Sequence, residues 1–184
     1  MSREIYTRST RSVVQCVGHT RTGARCKRRT ARTHLCYAHL EKEQHLRIKP
    51  SNIPGAGMGL YTTVARRAHR MVAPYSGEYV TKPRDNYGGD YVVSLNSPPD
   101  APPYKYVDAR KTTDGAGRFS NNARRRDHRT NNSHLTPHPN SREAKVVASR
   151  NIPAGTEILT RYGNDYWRQH GHWCVYWLKQ NSHT

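Results

Sequence analysis

At 184 residues the chain has room for one domain of ordinary size and a small appendage. Only 34% of it is hydrophobic, below the usual globular share, so the core is lean, and no apolar run reaches the length of a transmembrane helix. The 31 Lys and Arg against 13 Asp and Glu give a net charge of +18, which favours salt-sensitive binding of DNA or RNA. An anionic membrane surface is disfavoured, because the basic stretches carry no apolar helical face beside them. The opening Met1-Ser2-Arg3-Glu4-Ile5 lacks the hydrophobic block of a secretory signal.

Residues 1–13 are polar and basic and are expected to form a disordered arm. Cys16, Cys26, Cys36 and His39 then give the pattern C-x9-C-x9-C-x2-H, whose last pair is spaced so that one tight or helical turn aims both side chains at a single ion. Thiolate and imidazole ligands suit tetrahedral zinc in a closed structural site within a reducing compartment. His19 and His34 are alternative ligands. Between Cys16 and Leu40 the larger apolar residues are chiefly Val17, Leu35, Tyr37 and Leu40, too few to order the segment without a metal. Residues 14–40 are thus expected to form a zinc module, which resembles the small zinc knuckles of viral and plant proteins. Arg21, Arg25, Lys27, Arg28, Arg29 and Arg32 surround the ligands, with Arg3, Arg8 and Arg11 ahead of them, a display suited to phosphates. Residues 41–47 read as a short helix or linker.

From Arg47 onward, Val-, Ile- and Tyr-rich runs alternate with Gly, Pro and Asn clusters, which predicts a mainly β domain of many short strands and few helices. Strands are expected at 47–49, 60–64, 71–75 and 91–95. The loop Pro54-Gly55-Ala56-Gly57-Met58-Gly59 has glycines that let backbone approach a ligand. It is not a dinucleotide fingerprint, because Leu60-Tyr61-Thr62-Thr63-Val64 reads as strand and no amphipathic helix follows. Ser76-Gly77-Glu78 turns one strand into the next, and Pro98-Pro99 and Pro102-Pro103 mark a surface loop. Near the end, a Pro153-Ala154-Gly155 turn precedes Ile158 and Leu159, a short buried strand that delivers Tyr162 to the bend at Gly163. That placement suits a phenol held in a pocket or a core tyrosine at a strand end.

Taken in order, Ile53 to Tyr61, Tyr75-Ser76-Gly77-Glu78, Val107-Asp108-Ala109 followed by Gly117-Arg118-Phe119-Ser120-Asn121-Asn122, and Thr156 to Trp167 resemble the SET-domain protein lysine methyltransferases. The resemblance runs from Ile48 to Trp167, roughly 120 residues, a domain-sized span. It implies a SET fold of several small sheets over 48–167, with 168–184 as an aromatic closure segment. It also implies S-adenosyl-L-methionine as cofactor, cradled at its methionyl end by Gly57, Met58 and Gly59, with Tyr91, Arg118, Asn121, Asn122 and Trp167 completing the pocket. Tyr162 and Tyr75 take the catalytic positions, the first orienting the amine and the second lining the lysine channel.

The chain departs from the family in five places. Asn122 stands where the family usually has histidine, the usual cysteine of the following tail is absent, and an arginine cluster at 124–126 is inserted. Cys174 stands alone where many relatives close the site with three zinc-bound cysteines, so Tyr166, Trp167, Trp173 and Trp177 are expected to close it by packing. Thr160 replaces a family Phe or Tyr, and the smaller side chain implies room for di- or trimethylation. The reading is a lysine N-methyltransferase of a histone or nucleosome, nuclear or chromatin-associated, with DNA engaged through the basic N-terminal module. The alternatives are a non-enzymatic chromatin or DNA-binding protein on a decayed SET scaffold, motivated by Asn122, and an RNA-binding module, which explains the charge but not the ordered motifs.

Overall fold

In Ala144-Lys145-Val146-Val147-Ala148 the first, third and fifth residues are buried and the two between are half-buried, the period of a strand with one face on a core. Strands of this kind dominate the computed structural model, which describes residues 13–81, 91–95, 106–110, 113, 115–123, 131–137, 144–162 and 166. The basic arm, the proline-rich loop, the arginine cluster, Trp167 and the tail with Trp173, Cys174 and Trp177 lie outside those residues.

The elements in order are β1 (Val14–Gln15), β2 (Arg29–Thr30), α1 (Tyr37–His39), a turn of π-helix at Leu40–Gln44, β3 (Leu46–Pro50), β4 (Met58–Thr62), β5 (Met71–Tyr75), β6 (Glu78–Val80), β7 (Val92–Ser94), β8 (Tyr106–Asp108), a 3-10 turn at Gly117–Phe119, β9 (Ser133–Pro137), β10 (Ala144–Ala148) and β11 (Thr160–Arg161). They form four small sheets, β1-β2, β3-β4, β6-β8-β7 and β11-β9-β10-β5. This is the mainly β architecture of several small sheets and few short helices that the sequence predicts. Only β11 on β9 is parallel among these pairings, with Thr160 opposite Ser133.

Two elements differ from expectation. β4 begins at Met58, so Met58 and Gly59 belong to a strand as well as to the glycine-rich loop. Ile158 and Leu159 do not form the expected strand. Glu157 instead bridges Tyr61 and Leu159 bridges Asn121, so the stretch from 156 to 160 is wedged between two partners. On one side the Ile158 N–H donates to the Leu60 carbonyl at 2.7 Å, and on the other the Thr160 N–H donates to the Asn121 carbonyl at 2.7 Å. β4 therefore has neighbours along both edges, β3 and the 156–158 stretch, and residues 59–62 are buried.

The N-terminal module joins the body through the π-helix, which ends at His45 in the left-handed conformation (φ 55°). Arg66 fixes that end by donating to the Gln44 carbonyl at 2.5 Å and to the Thr62 hydroxyl at 3.0 Å. Leu40 and Leu46, either side of the bend, are both buried in the core.

At the β5–β6 turn, backbone passes so close to β8 that a Cβ on Gly77 would collide with the Asp108 carbonyl and come within 2.8 Å of the Ala109 Cα. Neither is a flexible side-chain end, so the backbone itself must move. Gly77→Ala should therefore lower the free energy of unfolding by about 2 kcal/mol, measured by urea denaturation.

Candidate active site and metal centre

Four tyrosines and one arginine meet where β5, β7, the 3-10 turn and the end of β11 converge. Tyr75, at the end of β5, is buried, and its hydroxyl donates to the Tyr91 carbonyl at 2.9 Å. Burial pushes its phenol well above the ordinary tyrosine value, so it stays protonated, and Arg118, Tyr91, Asp108 and Tyr166 all lie close enough to act on it electrostatically. The Arg118 guanidinium carbon sits 4.0 Å from the centroid of the Tyr91 ring and 5.4 Å from that of Phe119. Arg118 is 7% exposed, donates to the Arg110 carbonyl, and leaves its Nε without a partner among the described residues. Tyr162 follows β11, half-buried, and its hydroxyl donates to the Ser120 carbonyl at 2.9 Å. Its ring meets Tyr166 edge-on, with centroids 4.8 Å apart.

Asn121 ties this cluster to the glycine-rich loop. Its amide donates to the Met58 carbonyl at 3.0 Å while its own carbonyl receives Thr160. Gly57, next to Met58, is exposed with φ +72°, and nothing stands within 4 Å of where its Cβ would be. The loop is thus open at Gly57 and clamped at Met58. Asn122 is buried, and its Oδ1 has no hydrogen-bond partner among the described residues. An open backbone loop near a buried unpaired donor and a buried unpaired acceptor fits a polar ligand with both kinds of group.

Gly59 also answers a need of the fold, because a side chain there would strike the Oε1 of Glu157. Glu157 is buried, and three neutral donors satisfy its carboxylate: the Ser51 hydroxyl at 2.6 Å, the Asn52 N–H at 2.8 Å and the Tyr61 hydroxyl at 3.1 Å. Ser51 also receives the Ile53 N–H at 3.0 Å, and the Ser51 N–H donates to the Gly57 carbonyl at 2.8 Å. The loop from 51 to 57 is closed on itself and pinned to Glu157. Burial and the neighbouring carboxylate push the Tyr61 phenol up, so it keeps the proton that it shares between Glu157 and the Pro50 carbonyl.

The family model of the SET domain matches residues 57–163, from the open glycine of the loop to the residue after Tyr162, more than half of the chain. The chain belongs to the SET-domain family. That family is one of lysine methyltransferases. Among solved structures, the fold is similar to the methyltransferase domain of human PR domain-containing protein 2, with a TM-score of 0.52 at 19% identity over 69% of this chain and 84% of that one. No curated protein sequence matches the chain.

Within this SET domain the structure brings Tyr162, Tyr75, Tyr91 and Arg118 together and connects them to Met58 through Asn121. Trp167 lies outside the described residues. Thr160 is fully buried, and its hydroxyl is 2.7 Å from that of Ser133.

N-terminal to the SET match, the four expected metal ligands do converge. The Sγ atoms of Cys16, Cys26 and Cys36 and a ring nitrogen of His39 all lie within 4.8 Å of one another, all four residues are buried, and the cysteines are free thiols. Cys36 is the N-cap of α1 and His39 ends it, so the C-x2-H pair does share one helical turn. The His39 Nε2 is 2.8 Å from the His19 carbonyl, which makes it the protonated nitrogen and leaves the Nδ1 lone pair facing Cys36 at 3.3 Å and Cys16 at 3.4 Å. Backbone N–H groups of Cys36 and Gly18 point at the Cys16 sulfur at 3.2 and 3.4 Å. Burial pushes the Cys36 thiol up, but hydrogen bonds from the His39 backbone and ring, Cys16 and Arg28 outweigh it and bring it to about 6. This donor set fits zinc. The rings of His19 and His34, the alternatives in the sequence, are not in the cluster.

Glu157 is the residue that sequence reasoning missed; an acid placed between a tight turn and two apolar residues was the signal. Glu157→Gln keeps the shape but turns an NH2 group toward at least one donor. We expect a loss of about 1–3 kcal/mol in urea denaturation, with faster amide hydrogen exchange at Asn52 and Ile53 than at residues of β10.

Proposed function

We propose that the chain is an S-adenosyl-L-methionine-dependent protein lysine N-methyltransferase acting on a histone or another chromatin-associated protein in the nucleus. What carries the reading is Tyr162, whose phenol is fixed on the Ser120 carbonyl beside the Tyr75, Tyr91 and Arg118 cluster, with the next residue, Asn121, bonded to the clamped loop at Met58. When bound, the cofactor supplies an activated methyl group on a sulfonium. Gly57 and Met58 would hold its amino-acid end, with Arg118 and Asn122 offering the unpaired polar atoms described above.

The residues' own work is positional and electrostatic. No acid strong enough to cleave a bond is required; the target amine has to be neutral, dry and in line with the methyl. Tyr75 and Tyr91 give the channel aromatic walls that exclude water, and the protonated phenol of Tyr75 brings no anion to hold the lysine charged. Arg118 adds a buried positive charge, which favours the neutral amine. The Tyr162 oxygen orients the amine while its proton is engaged by Ser120, and that oxygen with nearby carbonyls favours the positive charge developing around the methyl.

A second reading is a SET scaffold without activity, favoured by Asn122 in the histidine position with its buried acceptor unpaired. Calorimetry with the cofactor separates the two, since a decayed scaffold would give no binding heat.

For the N-terminal module we propose one structural zinc on Cys16, Cys26, Cys36 and His39. Purified protein should contain one zinc per chain by plasma mass spectrometry, and Cys26→Ser should lose it together with the order of residues 13–40. With labelled cofactor and nucleosomes, mass spectrometry should find methylated lysine. Tyr162→Phe should cut kcat by about a hundredfold while cofactor affinity changes little, because the ring remains and only the hydroxyl is lost. Undiminished transfer by that variant would remove Tyr162 from the mechanism.

A further inference from the structure

Residues 13–40 contain Arg21, Arg25, Lys27, Arg28, Arg29 and Arg32, all exposed, and not one Asp or Glu. Two of the guanidinium groups are held in place by backbone. Arg25 donates to the Cys16 carbonyl at 3.1 Å and the Gln15 carbonyl at 3.3 Å, and Arg29 donates to the Val13 carbonyl at 3.0 Å. Carbonyl groups orient these cations without neutralising them, so their charge faces outward in fixed positions.

Among them stands an aromatic ring with no part in the core. Tyr37 is 75% exposed, the most open of the large apolar side chains among the described residues. It is the first residue of α1, between Cys36 and His39, so its backbone is fixed by the same turn that aims the two ligands. The Arg28 guanidinium lies over the ring, 5.1 Å from its centroid, which leaves the opposite face for a partner.

We propose that this module binds single-stranded nucleic acid, with its arginines on the phosphates and the free face of Tyr37 stacked on an unpaired base. The charge alone would suit any polyanion; the ring decides between them. A duplex hides its base faces in its own stack, and an anionic lipid headgroup offers charge without a flat ring. An exposed aromatic beside fixed cations matches a strand whose bases are free to stack. Nothing in this surface draws on the methyl-transfer chemistry of the SET domain.

The test is fluorescence anisotropy of the full-length, zinc-loaded chain with oligonucleotides of about 12 nucleotides, as single-stranded DNA, single-stranded RNA and duplex DNA, at salt from about 50 to about 200 mM. The single strands should bind about tenfold or more tighter than the duplex, and the DNA and RNA arms identify the sugar preferred. Tyr37→Ala should weaken single-strand binding by about tenfold without changing the salt slope, and Tyr37→Phe should restore it. Arg21→Gln with Arg32→Gln should instead flatten the salt slope. Equal affinity for duplex and single strand, an unchanged affinity in a zinc-containing Tyr37→Ala protein, or binding only to phosphatidylserine vesicles would each overturn the proposal.

Discussion

The geometry of the site depends on one buried carboxylate. Glu157 is enclosed with no cation paired to it among the described residues, and a charge in that position is tolerable only while all its donors are in place. The donors come from Ser51, Asn52 and Tyr61, so the same condition that keeps Glu157 stable fixes where the glycine-rich loop begins. Gly59 is required because any side chain would occupy the space the carboxylate fills. Three residues further, the Thr160 N–H donates to the carbonyl of Asn121, whose side chain holds Met58. The loop is thus located from two directions by neighbouring parts of a single stretch, and Tyr162 follows directly from that stretch.

The two halves of the chain are held by different physics. The SET domain has an ordinary if lean core, with Leu60, Val107, Val146, Ile152 and Ile158 essentially without exposure. In the N-terminal module much of the buried surface is the ligand set itself, Cys16, Cys26, Cys36 and His39, with Leu35 and Leu40 for support. Gly18 makes room for the His39 ring, since a Cβ there would stand 2.5 Å from it. With zinc on that cluster, a knot joined to a hydrophobic body through a short π-helix would give the chain two stabilities that respond to different reagents, chelators for one and denaturants for the other.

Much of this was legible in the sequence. Composition announced a strand-rich body, the 71–75 strand was placed to the residue, and the ordered motifs located the tyrosines at 75, 91 and 162 before any geometry was known. The Cys and His spacing likewise singled out the four residues that the structure gathers, with His19 and His34 kept as alternatives. What escaped were relations between distant residues. Nothing local to Glu157 says that its carboxylate turns back to Ser51 across 106 positions, and nothing local to Thr160 names Ser133. Gly59 was read by the usual rule that a glycine in a loop faces a ligand, and nothing near it in sequence announces that Glu157 would fill the place of its side chain. The choice between His39 and His19 as ligand rests on a carbonyl that only the folded hairpin brings to Nε2.

The span of these contacts governs how the molecule comes into being. The cysteine and histidine cluster closes on contacts no more than 23 positions apart and can form as soon as its own residues leave the ribosome. β4, by contrast, obtains its second edge partner only when residues 156–158 arrive, about a hundred positions later, and synthesis proceeds at about 5–20 residues per second. For several seconds a nascent chain therefore carries a strand with an unpaired edge, beside a loop whose anchoring acid has not yet been made. Such an edge pairs readily with strands of neighbouring chains, which makes the interval before residue 157 emerges the period in which this protein most needs protection from aggregation.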